Sequence, residues 1–334
     1  LTALTVAAHA LATTLPLLYV VRLAMGLTQG AFFVGSATLV NDLAPVERRG
    51  EATNYFSVAV YGGMALGPLL GEVVERAAGF GVAFVAGGAC LALASLLALN
   101  LPVDRPLPVA AVAAGPGEPV GPDRAAPGAA GGGKSDLGPR RRGSALIHRS
   151  AVTPGLILMG GLVTFTALNG FMPLYVEEFD LGSAGAVLLV YGLLVLMMRI
   201  VGSKLPDRFG TLRMSTVALI GQAAGMAIMG LWASRYGLYV GAVVLAVGGS
   251  FLYPTLLTAA VYGVADNQRA RATSTFTLAF ELSSGLGGPL LGFAAALFGT
   301  RAAFFGASLA ALATLPLLLN WAARRPEALV PPRP

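Results

Sequence analysis

The feature that most constrains this chain is a succession of apolar runs, each long enough to cross a lipid bilayer. A helix needs about 20 mainly apolar residues to span the hydrocarbon core, and in lipid only helices and closed barrels satisfy their own backbone hydrogen bonds. The runs cover residues 16–40, 52–72, 79–101, 152–176, 184–201, 212–233, 237–264, 273–298 and 301–323. Residues 1–14 read as a shortened tenth run. The sequence therefore predicts an all-α membrane protein.

The distribution of charge predicts how the spans are oriented. Charged residues make up 11% of the chain, whereas soluble domains carry about a quarter. If the spans alternate and the C-terminal tail is cytoplasmic, seventeen Lys and Arg residues fall inside, and only Arg76, Arg235 and Arg301 fall outside. Without the long polar segment the ratio is still ten to three. This bias follows the positive-inside rule, so the net charge of +6 indicates topology rather than a nucleic-acid partner.

One long polar segment divides the chain. Residues 102–150 are rich in Pro, Gly and Ala and include the basic run Arg140–Arg142. This composition cannot bury enough apolar surface to order itself, which predicts a flexible cytoplasmic linker. The basic run could set topology or rest on anionic lipid headgroups. We therefore expect an N-terminal bundle at 1–101, the linker at 102–150, a C-terminal bundle at 151–323 and a cytoplasmic tail at 324–334.

A pentapeptide, Gly-Pro-Leu-Leu-Gly, occurs at residues 67–71 and again at 288–292. The copies extend upstream in the same way, because small residues recur every fourth position around them. On a helix that spacing lines up one face, which allows a neighbouring backbone to approach closely, and each proline should bend its helix. The motif residues are Gly63, Gly67, Pro68 and Gly71 in the first copy, and Ser284, Gly288, Pro289 and Gly292 in the second. The spacing of about 220 residues predicts a duplicated bundle of several helices.

Side-chain chemistry excludes several classes of function. The chain has one cysteine, Cys90, and two histidines, His9 and His148, which rules out an intrachain disulfide and a Cys/His metal site. We find no paired Asp residues, His-rich helix or Ser–His pair at membrane depth, so we expect neither an enzyme nor a cofactor. A channel would not require two matched halves around a linker.

Four stretches resemble the major facilitator superfamily of secondary transporters. Gly63 to Gly71 resembles the fifth-span motif associated with antiporters, although the family often has Gly where this chain has Glu72. Arg22, Gly26 and Gly30 resemble a fourth-span motif of proton-coupled exporters. Residues 199–213 resemble the loop between spans eight and nine, and residues 280–289 resemble an eleventh-span pattern that contains an acidic residue.

The resemblance implies two pseudo-symmetric bundles of six spans that expose a site alternately to either side. Four spans precede the linker and six follow it, and the first residue is Leu, so we expect a fragment whose first two spans are missing. The implied function is proton-coupled efflux of a small molecule, drug-like or sugar-like. The alternative is the same fold working as a metabolite importer or facilitator without proton antiport. We expect a monomer in a bacterial cytoplasmic membrane.

Charged residues inside spans are the candidate functional side chains, because burying charge in hydrocarbon costs at least a few kcal/mol. Glu281 lies ten residues beyond Arg271, about 15 Å into the membrane. Desolvation there favours the neutral carboxyl, which suits a proton-coupling group, although a structural carboxylate is the alternative. Arg22 could tune such a carboxyl, hold an anionic substrate group or snorkel outward. Arg199, near the cytoplasmic end of its span, should snorkel or pair at the loop.

The loop resemblance implies a cytoplasmic gate, and ordinary positive-inside anchoring is the alternative. Asp207 could cap a neighbouring helix, and Arg208 or Arg213 could pair with Asp266. The gating-loop candidates are Gly202, Asp207, Arg208, Gly210, Arg213 and Asp266. The residues that could line a cavity are Phe165, Asn169, Tyr191 and Tyr253. A mixed apolar and aromatic lining would suit amphipathic small molecules.

Overall fold

The computed structural model describes residues 1–45, 48–100, 147–202 and 209–324, and these ranges are helical and contain no strand. The first helices are α1 (Thr2–Ala7, followed by a 3-10 helix at Ala8–Leu11), α2 (Leu15–Leu43) and α3 (Arg49–Ala98). The later helices are α4 (Arg149–Glu178), α5 (Ala184–Val201), α6 (Thr211–Leu231), α7 (Arg235–Gly249), α8 (Leu252–Val261), α9 (Asp266–Phe298), α10 (Arg301–Ala313) and α11 (Leu315–Arg324). The predicted linker and tail lie almost wholly outside the described residues.

Eight stretches in the described residues are long and apolar enough to cross a membrane. One of them, Tyr55–Ala98, has 44 residues and contains two predicted spans. Helix α3 is kinked within it at Gly79, where φ is 85° and ψ is 168°. Glycine adopts this positive φ without the steric cost that a side chain would bring. With that stretch divided, and with the short apolar helix Thr2–Leu11 added, the helices correspond to the ten predicted runs. The all-α membrane fold is confirmed.

Two predicted runs are broken in the structure. The run at 237–264 divides into α7 and α8 at Ser250 and Phe251, directly after Gly248 and Gly249, whose low helix propensity favours a kink. The run at 301–323 divides into α10 and α11 at Thr314. Pro316 follows, and its ring clashes with the carbonyl four residues earlier. Local sequence therefore accounts for both breaks.

The helices from α4 onward pack around two apolar clusters. In the first, Tyr175 is fully buried between Phe179 and Phe304, and its hydroxyl donates to the Met229 carbonyl at 2.8 Å. In the second, the Phe276 ring lies 5.4 Å from that of Tyr253. Buried polar side chains also cross between helices. Thr164 donates to Gln222 at 2.9 Å, for example. Such bonds hold helices together where lipid offers no alternative partner.

Helices α6 and α7 approach each other through glycine. A β-carbon placed on Gly225 would lie 2.7 Å from the Gly241 carbonyl oxygen. One placed on Gly221 would lie 2.9 Å from the α-carbon of Gly248. The two backbones are therefore in direct contact, and no larger residue fits at these positions without separating the helices.

We predict that Gly225→Ala lowers the free energy of unfolding by about 1–3 kcal/mol, because the added methyl group overpacks the α6–α7 contact. Gly67→Ala is the matched control, since a β-carbon there meets no described atom within 4 Å. It should be neutral or stabilising by up to about 1 kcal/mol through higher helix propensity. Unfolding in mixed micelles by SDS titration measures both variants. Equal losses in the two would contradict the assignment of Gly225 to a close helix contact.

Candidate functional site

The helices on either side of residues 101–146 meet mainly along α3 and α5, a contact we call the α3–α5 interface. At its centre, a β-carbon on Gly192 would lie 2.7 Å from the α-carbon of Ala65, which is fully buried. Towards one end, a β-carbon on Gly185 would lie 2.6 Å from the Leu69 α-carbon and 3.0 Å from the Pro68 carbonyl oxygen. Small residues on α5 therefore bring the two backbones together.

At the end of the interface that the positive-inside rule predicts to be outer, a polar cluster joins the helices. The Glu72 carboxylate accepts hydrogen bonds from the Ser183 hydroxyl at 2.8 Å and from the Gly185 amide. Arg76 lies 2.5 Å from the other Glu72 oxygen and donates to the Gly182 carbonyl at 2.9 Å. Residues of α3 thus hold the first turn of α5. We call this cluster the Glu72 clamp.

At the opposite end, a cation lies over an aromatic ring. The guanidinium carbon of Arg199 is 4.3 Å from the ring centroid of Tyr61, a geometry in which the ring quadrupole attracts the charge. The Nε atom of Arg199 is buried and has no hydrogen-bond partner among the described residues. The sequence predicted that Arg199 would snorkel or pair at the loop, and did not identify Tyr61. The α3–α5 interface therefore has a charged residue near each end and small residues between them.

A helical spacing signal for these residues was present in the sequence. Tyr61, Ala65, Pro68 and Glu72 follow one another at intervals of four, three and four, which places them on one face of α3. On α5, Gly185, Gly192 and Arg199 recur every seventh residue. Neither pattern shows which two helices pair. The structure is needed to show that these two helix faces contact each other.

Three of the four predicted cavity residues lie together beside this interface. The ring centroids of Phe165 on α4 and Tyr191 on α5 are 6.4 Å apart. The Asn169 side chain donates to the Phe165 carbonyl at 2.9 Å, one turn along the same helix. Tyr253 lies elsewhere, against Phe276.

Glu281 lies near the middle of α9 and is exposed. The packed face of α9 contacts α4, because Ser283 donates to the Met159 carbonyl at 3.0 Å and Gly287 approaches Val163. Glu281 follows the fully buried Phe276 by five residues, about 140° around the helix. It forms no hydrogen bond or ion pair among the described residues. The carboxylate therefore projects from the face of α9 that α4 leaves uncovered.

Arg22 is also exposed, on α2. The face of α2 that contacts α1 carries Thr28, whose hydroxyl lies 3.1 Å from that of Thr5. Arg22 precedes Thr28 by six residues, about 120° away around the helix. Within the described residues it has no ion pair, and it makes none with Glu281.

The small-residue stripes have different surroundings in the two copies of the repeat. Beside Gly63, Gly67 and Gly71, added β-carbons would meet no described atom within 4 Å. Beside Gly288 and Gly292 they would make ordinary contacts with Thr166 at 4.0 Å and Phe171 at 3.9 Å. Ser284 is exposed. Among the described residues, the expected close backbone approach on α3 is found beside Ala65 and Leu69, on a different face from the stripe. Helices α3 and α9 continue through Pro68 and Pro289.

The predicted gating loop is described only in part. Asp207 and Arg208 lie outside the described residues, and Asp266 is described only as the first residue of α9. Gly202 packs under the Phe251 ring, and Gly210 has a φ of 78° just before α6. Arg213 is exposed and has no ion pair among the described residues. The predicted helix cap and ion pairs of this loop stay predictions.

Comparison with known proteins matches this chain to one transporter family and to individual transporters. The sequence model of the Major Facilitator Superfamily matches residues 1–231 and 163–334. An uncharacterised MFS-type transporter of Salmonella typhimurium is 27% identical over 297 residues, which is 89% of this chain and 69% of that protein. One from Burkholderia mallei is 25% identical over 308 residues, covering 92% and 68%. A crystal structure of the peptide transporter POT in complex with sulfate covers 55% of this chain and 40% of its own, with 19% identity and a TM-score of 0.49.

We predict that the contact between Arg199 and Tyr61 stabilises the protein through the ring face rather than the hydroxyl. Tyr61→Phe should leave the free energy of unfolding nearly unchanged, whereas Tyr61→Leu should lower it by about 0.5–2 kcal/mol. A double-mutant cycle with Arg199→Met isolates the pair. Equal losses in the Phe and Leu variants, or zero coupling with Arg199→Met, would contradict the cation–π assignment.

Proposed function

Because this chain belongs to the major facilitator superfamily, we propose that it is a secondary active transporter that exports a small molecule in exchange for protons. Family membership, shared with curated relatives that are MFS-type transporters, makes the chain a multi-pass membrane transporter and not an enzyme. Export, proton coupling and alternating access are our proposals. The observation that carries them is the Glu281 carboxylate, which lies in the middle of a membrane-spanning helix and has no partner among the described residues.

Alternating access requires two bodies that can move against each other. We propose that these are the helices at 1–101 and at 151–323, connected by the segment at 102–150. Two overlapping matches of the family model, at 1–231 and 163–334, support a duplicated origin. The α3–α5 interface supports the same division, because among the described residues the two parts meet mainly through this one helix pair, packed through Gly185 and Gly192. A contact made through glycines has few side chains to interlock, so it allows the two parts to rock against each other.

Glu281 has the properties that a coupling carboxyl needs. Its place near the middle of α9 puts it at membrane depth, where only the neutral form is inexpensive. Its lack of a described partner leaves it free to exchange a proton with water in an open cavity. We propose that it takes up a proton on one side and releases it on the other. Arg22, which has no ion pair among the described residues, is proposed to favour release by stabilising the charged carboxylate in one conformation.

The substrate class we propose is amphipathic small molecules. Phe165 and Tyr191 lie in contact beside the α3–α5 interface, with the amide of Asn169 on the same face of α4. Ligand sites combine such apolar and aromatic walls with a few polar groups. We propose that the gating loop at 202–213 closes the cytoplasmic side. The two Gly-Pro helices are proposed to close the outer side. The bacterial relatives support a cytoplasmic membrane as the location.

We predict that Glu281→Gln abolishes transport driven by a pH gradient but preserves exchange at equal pH, because Gln is a permanently neutral analogue of the protonated carboxyl. Substrates are first identified in everted vesicles by the loss of acridine orange quenching on addition of amphipathic compounds. Gradient-driven accumulation in the variant should then fall to the level of vesicles that lack the protein.

Glu75→Gln is the matched control, since Glu75 lies on α3 away from the middle of a span and forms no hydrogen bond or ion pair among the described residues. It should retain gradient-driven accumulation. Unchanged gradient dependence in Glu281→Gln would remove Glu281 from the mechanism. Transport that needs no gradient in the unmodified protein would favour the importer or facilitator.

A further inference from the structure

The Glu72 clamp joins parts of the chain that are far apart in sequence. Helix α5 has 18 residues, and its N-cap is Ser183, whose hydroxyl accepts from the Ala186 amide at 3.0 Å. The Gly185 amide, also in the first turn, donates to the Glu72 carboxylate on α3. The first amides of a helix have no partner within the helix, and a negative charge beside them is favoured by the helix dipole. Glu72 therefore caps the Gly185 amide, beside the Ala186 amide that Ser183 caps within α5.

Arg76 orients this carboxylate. It lies one turn after Glu72 on α3, and its guanidinium contacts both Glu72 and the Gly182 carbonyl. The side chain of Glu72 is 15% exposed, whereas that of Arg76 is 59% exposed. The clamp thus has a covered carboxylate at its centre and an arginine on its water-facing side. Only the covered contacts are expected to contribute much to stability.

We propose that the Glu72 clamp is a latch that holds the transporter closed on its predicted outer side. Its interhelical hydrogen bonds join α3 to residues 182–185, at and just before the start of α5, so they break when the outer ends of these helices separate. When the outer ends separate, the Gly185 amide and the Glu72 carboxylate exchange their mutual hydrogen bond for hydrogen bonds with water. The strength of the clamp therefore sets how often the outer side opens.

This inference rests on the proposed alternating access, but its test needs no substrate and no gradient. Cys90, the one native cysteine, is exposed and is replaced by alanine. A reporter cysteine is introduced at Leu69, whose α-carbon faces Gly185 in the interface. Its rate of labelling by a membrane-impermeant maleimide in right-side-out vesicles measures opening of the outer end. A second reporter at the fully buried Leu219 measures general loosening of the fold.

In Glu72→Ala, labelling of the Leu69 reporter should rise at least about tenfold, because one hydrogen bond to a charged group is worth about that factor and Glu72 accepts two across the interface. Glu72→Gln, which keeps an acceptor oxygen, should give a smaller rise. Glu75→Ala is the matched control and should change nothing. Ser183→Ala should raise labelling, and its effect should be less than additive with Glu72→Ala because both remove the same contact.

Unchanged labelling of the Leu69 reporter in Glu72→Ala would overturn the latch. Faster labelling of both reporters would also overturn it, since Glu72 would then support the fold in general. Failure of the proton-coupling proposal has a different signature. Glu281→Gln would leave gradient dependence intact, while the labelling rates in the Glu72 variants would still differ from those of the unmodified protein.

Discussion

Helices in lipid gain little from hiding apolar side chains against one another, because the hydrocarbon around them is equally apolar. Their association depends on close backbone approach and on polar contacts that lipid cannot replace. Helices α6 and α7 use close backbone approach, through Gly221, Gly225 and their partners, and no side-chain hydrogen bond joins them in the part of the chain that the structure describes. Helices α3 and α5 use both, with Gly192 at the centre and polar or charged groups at the two ends. The first pair is suited to permanent contact, and the second to contact that can be exchanged for water.

Hydropathy located the spans because lipid imposes the same demand on every one of them. Any segment that crosses must be apolar and helical, whatever its neighbours are. Local chemistry then explains where the helices are interrupted. Gly79 permits a positive φ between two spans, and the Gly248–Ser250 stretch separates α7 from α8. Both features depend on a few adjacent residues. The apolar runs predict the division near Gly79, whereas they predict 237–264 as one span, so the break at Ser250 is explained only once the structure is known.

The contact face of a helix is a different kind of property, because it depends on the partner. The repeated pentapeptide predicts close packing on the face of α3 that carries Gly67. Helix α5 packs instead against the face that carries Ala65 and Leu69, and a β-carbon on Gly67 would meet no described atom within 4 Å. Tyr61 and Glu72 share that packed face. Glu72 looked like a departure from a glycine pattern, and only the position of Ser183 and Gly185 shows what its carboxylate does. Exposure of Glu281 could likewise not be predicted without the packing of α9 on α4.

The spacing of contacts along α5 suggests how a small motion could act as a switch. Gly192 lies midway between Gly185 and Arg199, seven residues from each, or about 10 Å. A rocking motion of about 10° about this midpoint would therefore displace each end by about 2 Å, which is more than an N–H···O hydrogen bond tolerates. A cation over an aromatic ring is less directional and persists through a shift that breaks the Glu72 clamp. In the proposed cycle the outer end would thus release first, while Arg199 and Tyr61 keep the two helices in register.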